Sequence, residues 1–96
     1  MGSNICKMEN IKNFYDKQVI CVVLLEKIRK IKTKKNEDMA FITASDETGS
    51  LSFVCFPSLM KELENLKEGD LAFIQGRVAR RLSNYQININ RIKKQS

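Results

Sequence analysis

Residues 39–56 constrain the fold more than any other stretch. Ala40, Ile42 and Ala44 alternate with Met39, Phe41, Thr43 and Ser45; Leu51, Phe53 and Cys55 alternate with Ser50, Ser52, Val54 and Phe56. Neighbours on a strand point to opposite faces, so this pattern predicts two strands that each bury one side and wet the other. Between them, Asp46-Glu47-Thr48-Gly49 reads as a tight turn in which Gly49 takes a positive φ. The expected unit is a hairpin of Met39–Ser45 and Ser50–Phe56. On it, Ala40, Ile42, Ala44, Leu51, Phe53 and Cys55 enter the core, while Phe41, Thr43, Ser52 and Val54 line the open face.

Upstream, 18–35 is apolar and β-branched at first and then alternates, with Ile28 and Ile31 set among basic residues; it reads as one long strand. Lys34-Lys35-Asn36-Glu37-Asp38 ends it in a polar turn. Pro57 stops the third strand because it has no N–H to donate. Ser58 then reads as an N-cap for a helix to about Lys67, with Leu59, Leu63 and Leu66 on one side. Glu68-Gly69-Asp70 terminates that helix. Leu71–Arg80 is a fourth strand with Gly76 as a bulge or kink, 81–84 is a loop, and Tyr85–Ile92 is a fifth strand. Three strands, a short helix and two strands form the element order of an all-β, five-stranded Greek-key barrel, the OB-fold. An open α+β sandwich is the competing architecture.

A chain of 96 residues has room for one such core. The expected organisation is an expression-vector scar at Met1-Gly2-Ser3, a lead-in segment or short helix over 4–17 carrying Ile5, Met8, Ile11, Phe14 and Tyr15, and the barrel from 18 to 96. The longest apolar run, Val19–Leu25, is far shorter than the ~20 residues of a membrane helix, so a soluble, cytoplasmic protein with no membrane partner is expected. Cys6, Cys21 and Cys55 lack CxxC spacing and there is no histidine, which argues against a zinc site or a disulfide framework. Cys21 and Cys55 read as small buried hydrophobes.

The net charge of +6 is unevenly distributed. Residues 1–26 balance, 27–35 carry +6, 36–70 carry −6 and 71–96 carry +6. OB-folds hold oligonucleotides across strands two and three, between the loops joining strands one to two and four to five. The basic blocks fall at those borders: Arg29, Lys32, Lys34 and Lys35 at one, Arg77, Arg80 and Arg81 at the other. Phe41 is a candidate platform on which an unstacked base sits, a contact worth about 1–3 kcal/mol. The alternative is that it packs under a loop or a neighbouring domain. Tyr85 is a further candidate, and equally a barrel-rim tyrosine. The basic blocks have their own bland alternative, a solvated lysine-rich surface. No nucleophile paired with a base, converging carboxylates, P-loop or metal cluster is found, so the chain reads as non-catalytic and free of cofactors.

Thr33-Lys34-Lys35, Met39-Ala40-Phe41, Asp46-Glu47-Thr48-Gly49, Phe56-Pro57 and Gly76-Arg77-Val78 together give a more specific signal than any one of them. This combination, over about 19–93, resembles the OB-fold domain of the alpha subunit of bacterial DNA polymerase III. More distantly it is similar to the anticodon-binding OB domains of class II aminoacyl-tRNA synthetases. The polymerase resemblance implies a non-catalytic piece of a replicative DNA-directed polymerase, a nucleotidyltransferase whose catalytic aspartates lie elsewhere. The piece would hold the single-stranded template beside the polymerase core, with the rest of that chain and other replisome proteins as partners. The synthetase resemblance implies base stacking at Phe41 and a polar contact at Ser52, here shorter than the glutamine often found there. Asn36 stands where the polymerase pattern usually has glycine, and asparagine tolerates the left-handed turn.

Three functions compete: a sequence-tolerant single-stranded DNA-binding module, a docking module for another replication protein, and an RNA-binding domain of the anticodon type. An apolar patch elsewhere on the barrel with Phe41 buried against it would favour docking.

Overall fold

In the computed structural model, which describes residues 5–95, one long strand organises everything else. β1 (Gln18–Lys32) pairs with β4 (Leu71–Arg81) through its first half, Gln18–Leu24, and with β2 (Asp38–Asp46) through its second, Leu24–Lys32. β2 runs antiparallel to β3 (Gly49–Cys55), β3 runs parallel to β5 (Asn84–Lys94) over Ser52–Val54, and β5 returns antiparallel to β4. The sheet thereby closes into a barrel of order β1-β2-β3-β5-β4. The expected five-stranded OB-fold is the fold observed. The scar expected at Met1-Gly2-Ser3 lies outside the described residues.

Two bulges permit closure. On β1, Leu25 faces Ala44 and Lys27 faces Thr43, which leaves Glu26 as an extra residue. The inward apolar spacing accordingly steps by three from Leu25 to Ile28 instead of by two. On β5, Gln75 faces Arg91 and Gly76 faces Ile89, so Asn90 is extra and the inward series steps from Ile89 to Ile92. The kink expected at Gly76 is present, with the inserted residue on the partner strand. A Cβ on Gly76 would lie 2.5 Å from both the Asn88 carbonyl oxygen and Ile87 Cγ2, so close approach of β5 requires glycine there.

Val19, Cys21, Val23, Leu25, Ile42, Phe53, Ile74, Val78 and Ile87 fill the barrel, each nearly or wholly excluded from solvent. Cys21 and Cys55 are fully buried, and burial pushes their thiols up to about 12 and about 11. Among the described residues, no helix is long and apolar enough to cross a membrane.

The helix expected from Ser58 to Lys67 is shorter. A 3-10 turn at Pro57–Leu59 leads into a single α turn, α1 (Met60–Leu63), and neither segment has a side-chain cap. Four residues are well below the length at which a helix sustains itself, so tertiary contact sets its extent. Leu63 and Leu66 are buried against one end of the barrel, and once both are seated nothing favours further turns. Gly69, at φ +97°, donates to Leu25 O, Leu25 donates to Asp70 O, and the Glu68 carboxylate accepts the Ile28 N–H. The segment read as a helix stop therefore satisfies the backbone groups that the Glu26 bulge frees.

The opposite end is plugged by the lead-in, a 3-10 helix at Met8–Phe14 that buries Met8 and Ile11. It is held by the β2–β3 turn: Asp46 accepts the Met8 N–H (2.9 Å), Thr48 Oγ1 accepts the Glu9 N–H (3.0 Å), and Lys7 pairs with Glu47. Gly49 does not adopt the positive φ expected of it. Instead Asp46 Oδ1 accepts both the Thr48 N–H and its hydroxyl, which turns the chain without a left-handed residue. Left-handed backbone occurs at Asp16, Asn36, Leu82 and Gly69, and Asn36 fulfils its expected turn role.

Two predictions follow from these contacts. Gly76→Ala should cost about 1–3 kcal/mol in urea unfolding, because β5 must retreat or strain; a loss under about 0.5 kcal/mol, the size of an ordinary surface effect, would show the approach is not tight. For Asp46, burial pushes the carboxyl upward, but hydrogen bonds from the Thr48 hydroxyl and from the Met8, Thr48 and Gly49 N–H groups outweigh it and hold the pKa below the usual range. With the folded value depressed, the contribution is complete above the unfolded value near ~4 and is lost as pH falls through the folded one. Asp46→Ala should therefore cost about 1–2 kcal/mol at pH 7. The gap between variant and parent in urea midpoint should close below about pH 4, and a gap independent of pH would contradict this role.

Candidate nucleic-acid interface

The register brings the outward side chains of neighbouring strands into rows. Lys27, Thr43, Ser52 and Gln86 form one row across β1, β2, β3 and β5; Arg29, Phe41, Val54 and Asn88 form the next. Thr43 and Ser52 are exposed, as expected. Phe41 is half-buried, and two guanidinium groups approach its ring: Arg29 from the paired strand, 5.8 Å from the centroid, and Arg81 from the end of β4, 5.6 Å away. Arg81 is the last residue of β4, so its contact with Phe41 places the β4–β5 turn beside the open face. Such contacts hold a cation beside an aromatic face while leaving its donors available.

Val54 departs from its expected place. It points to the outer side as the alternation requires, yet it is 2 % exposed. It occupies the middle of its row, with Phe41 on one flank and Asn88 on the other. A short side chain between two larger neighbours is shielded by them, so Val54 presents no surface of its own.

The basic residues divide into three groups. Lys34 and Lys35 sit on a tight β1–β2 loop in which Thr33 Oγ1 accepts the N–H groups of Lys35 and Glu37, and Asn36 turns at φ +64°. With Arg29, Arg80 and Arg81 they have no ion-pair partner among the described residues. Lys32 pairs with Asp38 at 2.8 Å, both side chains largely exposed. A pair of that kind contributes about 0–1 kcal/mol, so a phosphate can displace Asp38. Arg77 lies in mid-β4 rather than at the hairpin tip, and donates to Asp16 O at 2.8 Å. Its position fixes the lead-in to the barrel. Tyr85 is half-buried at the barrel rim, with Arg80 5.9 Å from its ring centroid and Tyr15 edge-on to it.

A cleft of about 410 Å³ continues this face toward the lead-in, bounded by Lys12, Thr43, Ser50, Ser52, Asn84 and Tyr85 among others. A smaller one of about 280 Å³ lies between Ser52, Gln86 and the hairpin residues Arg81, Leu82 and Asn84. The sequence reading missed Lys27, Gln86 and Asn88 as members of the face. The polar residues alternating with Ile87 and Ile89 carried that signal for β5. Among the described residues, no three His, Cys, Asp or Glu side chains converge.

The chain is similar to a stretch of the DNA polymerase III alpha subunit of Bacillus subtilis, 41% identical over 76 residues, which is 78% of this chain and 7% of that protein. In shape it is similar to a replication factor A related protein from Methanobacterium thermoautotrophicum, with TM-score 0.73, 19% identity, and coverage of 96% of this chain and 89% of that one. It is also similar to an OBody, AM3L09, bound to hen egg-white lysozyme, with TM-score 0.80, 13% identity, and coverage of 98% and 96%. The tRNA_anti-codon family model, described as an OB-fold nucleic acid binding domain, matches residues 22–94, from the middle of the buried run of β1 to the end of β5. The chain belongs to that family of OB-fold nucleic acid binding domains.

Proposed function

We propose that this domain holds single-stranded DNA across β2 and β3, as part of a bacterial replicative polymerase in the cytoplasm, keeping template strand beside the polymerase core. The observation that carries the reading is Phe41, an aromatic ring on the outer face with Arg29 and Arg81 beside it and the exposed hydroxyls of Thr43 and Ser52 one row away. A base laid on the ring gains stacking, while the guanidinium groups have donors left for the phosphates on either side. Lys34 and Lys35 at one border and Arg80 and Arg81 at the other complete an electrostatic groove. Polymerase chemistry, on this reading, resides in other parts of the parent chain.

A second surface favours a protein contact in addition. Ile5, Leu24 and Leu71 are 37–49 % exposed and, with Val22, line the apolar half of a hollow of about 400 Å³ whose other half is Lys7, Ser45, Asp46 and Glu47 and which does not include Phe41. The remainder of the polymerase chain is its proposed occupant, and the two surfaces do not compete.

Titration of a labelled oligothymidine at several salt concentrations tests the main reading. Five phosphate contacts, from Arg29, Lys34, Lys35, Arg80 and Arg81, should give a logarithmic salt slope of about −3.5, at roughly −0.7 each for a single strand. Phe41→Ala should weaken binding by about 1–3 kcal/mol. Affinity indifferent to both salt and Phe41→Ala would overturn the reading. Tighter binding to a structured RNA loop than to oligothymidine would replace it with the anticodon-type one.

A further inference from the structure

The β4–β5 hairpin breaks two local rules at one residue. Arg81 pairs with Asn84, so Leu82 and Ser83 are the whole turn. Leu82 adopts φ +56° while Ser83 does not take a positive φ. The first central position of a two-residue hairpin with that sign pattern ordinarily carries glycine, because a Cβ crowds the following carbonyl. Leu82 is also 89 % exposed, more than any other large apolar residue described. It therefore gains nothing from burial while straining the backbone that holds it. Strain and exposure at the same position point outward, to a contact made with something else.

The surroundings identify the class of that contact. Arg80 and Arg81 immediately precede Leu82, Arg81 leans on Phe41, and residues 71–95 contain no Asp or Glu. The leucine lines the 280 Å³ cleft that also includes Ser52, on the face proposed for the strand. An uncharged, apolar tip carried beside two phosphate-seeking cations fits the face of a nucleobase, and leucine is among the side chains that enter between base steps and part them.

We propose that Leu82 is a base wedge: it enters between successive bases of the bound single strand and unstacks them, freeing one to lie on Phe41. This inference rests on the reading of the face as a single-strand site. Because the wedge must break base stacking, weakly stacked oligothymidine should bind better than strongly stacked oligodeoxyadenosine, and the preference should depend on Leu82.

The test exploits effects of opposite sign. Leu82→Gly relieves the left-handed strain, which outweighs the added freedom of the unfolded chain, and should raise the thermal midpoint by about 4 °C. The same variant should bind oligothymidine at least about 5-fold more weakly, with the salt slope unchanged because no charge is altered. It should also lose the rise in fluorescence that the parent protein induces in an oligonucleotide carrying 2-aminopurine, a reporter of unstacking. Leu82→Met, which keeps an apolar tip, should retain both. If the parent protein binds with the expected salt slope and Leu82→Gly matches it in affinity and fluorescence, the wedge is refuted and the single-strand reading stands. If the parent protein binds no oligonucleotide, the reading itself fails and the wedge with it.

Discussion

The extra residue Glu26 in β1 is the constraint on which the barrel depends. A regular strand of fifteen residues would continue past its neighbours; β1 instead pairs with β4 on one half and β2 on the other, changing partner at Leu24 beside the bulge. The bend requires backbone groups near Leu25 and Ile28 to find partners outside the ladder, and Glu68, Gly69 and Asp70 supply them. Closure of the sheet, placement of α1 and termination of that helix are consequently one event. Gly76 and Asn90 perform the matching adjustment between β4 and β5.

The open face inherits its geometry from these bends. Phe41 stands opposite Arg29 only because the Glu26 bulge shifts register before that pair forms, so that Lys27, Arg29 and Ile31 share an outward side with Thr43, Phe41 and Met39. The β2–β3 turn that ends the same face is occupied at its other side by the lead-in. The Asp46 carboxylate and the Thr48 hydroxyl are thereby committed to the backbone N–H groups of Met8 and Glu9. Likewise Asp16 engages Arg77, which removes that cation from the face and fixes the start of β1 to β4.

Whatever depended on two-residue alternation was legible in the sequence: the hairpin, the inward set from Ala40 to Cys55, and the exposed hydroxyls of Thr43 and Ser52. Gly76 was legible as an irregularity because a side-chain-free residue inside a strand has few other uses. Val54 was not, since alternation gives the side of the sheet but not the size of the flanking side chains that cover it. The helix length was not, because Leu59, Leu63 and Leu66 fit a helical period equally well when a single turn and a following loop bring Leu63 and Leu66 to the same barrel end. The Arg81 contact with Phe41 was not, because it joins the end of β4 to the middle of β2 through closure of the whole barrel and through no local pattern.

The chemistry of the face bears on how a bound strand would be recognised under the proposed reading. Reading a base edge calls for amide or guanidinium groups held at fixed positions, whereas Thr43 and Ser52 offer short hydroxyls that serve as donor or acceptor alike. Gln86 and Asn88 are the amides available in the two central rows, and Gln86 Nε2 donates to Asn88 Oδ1 at 2.9 Å, so each is partly spent on the other. The cations at the borders would meet phosphates, which are the same for every base. What remains to distinguish one strand from another is how readily its bases leave their stack. Under the proposed reading, a surface built in this way would discriminate by stacking energy and not by hydrogen-bond pattern, as passage of any template sequence would require.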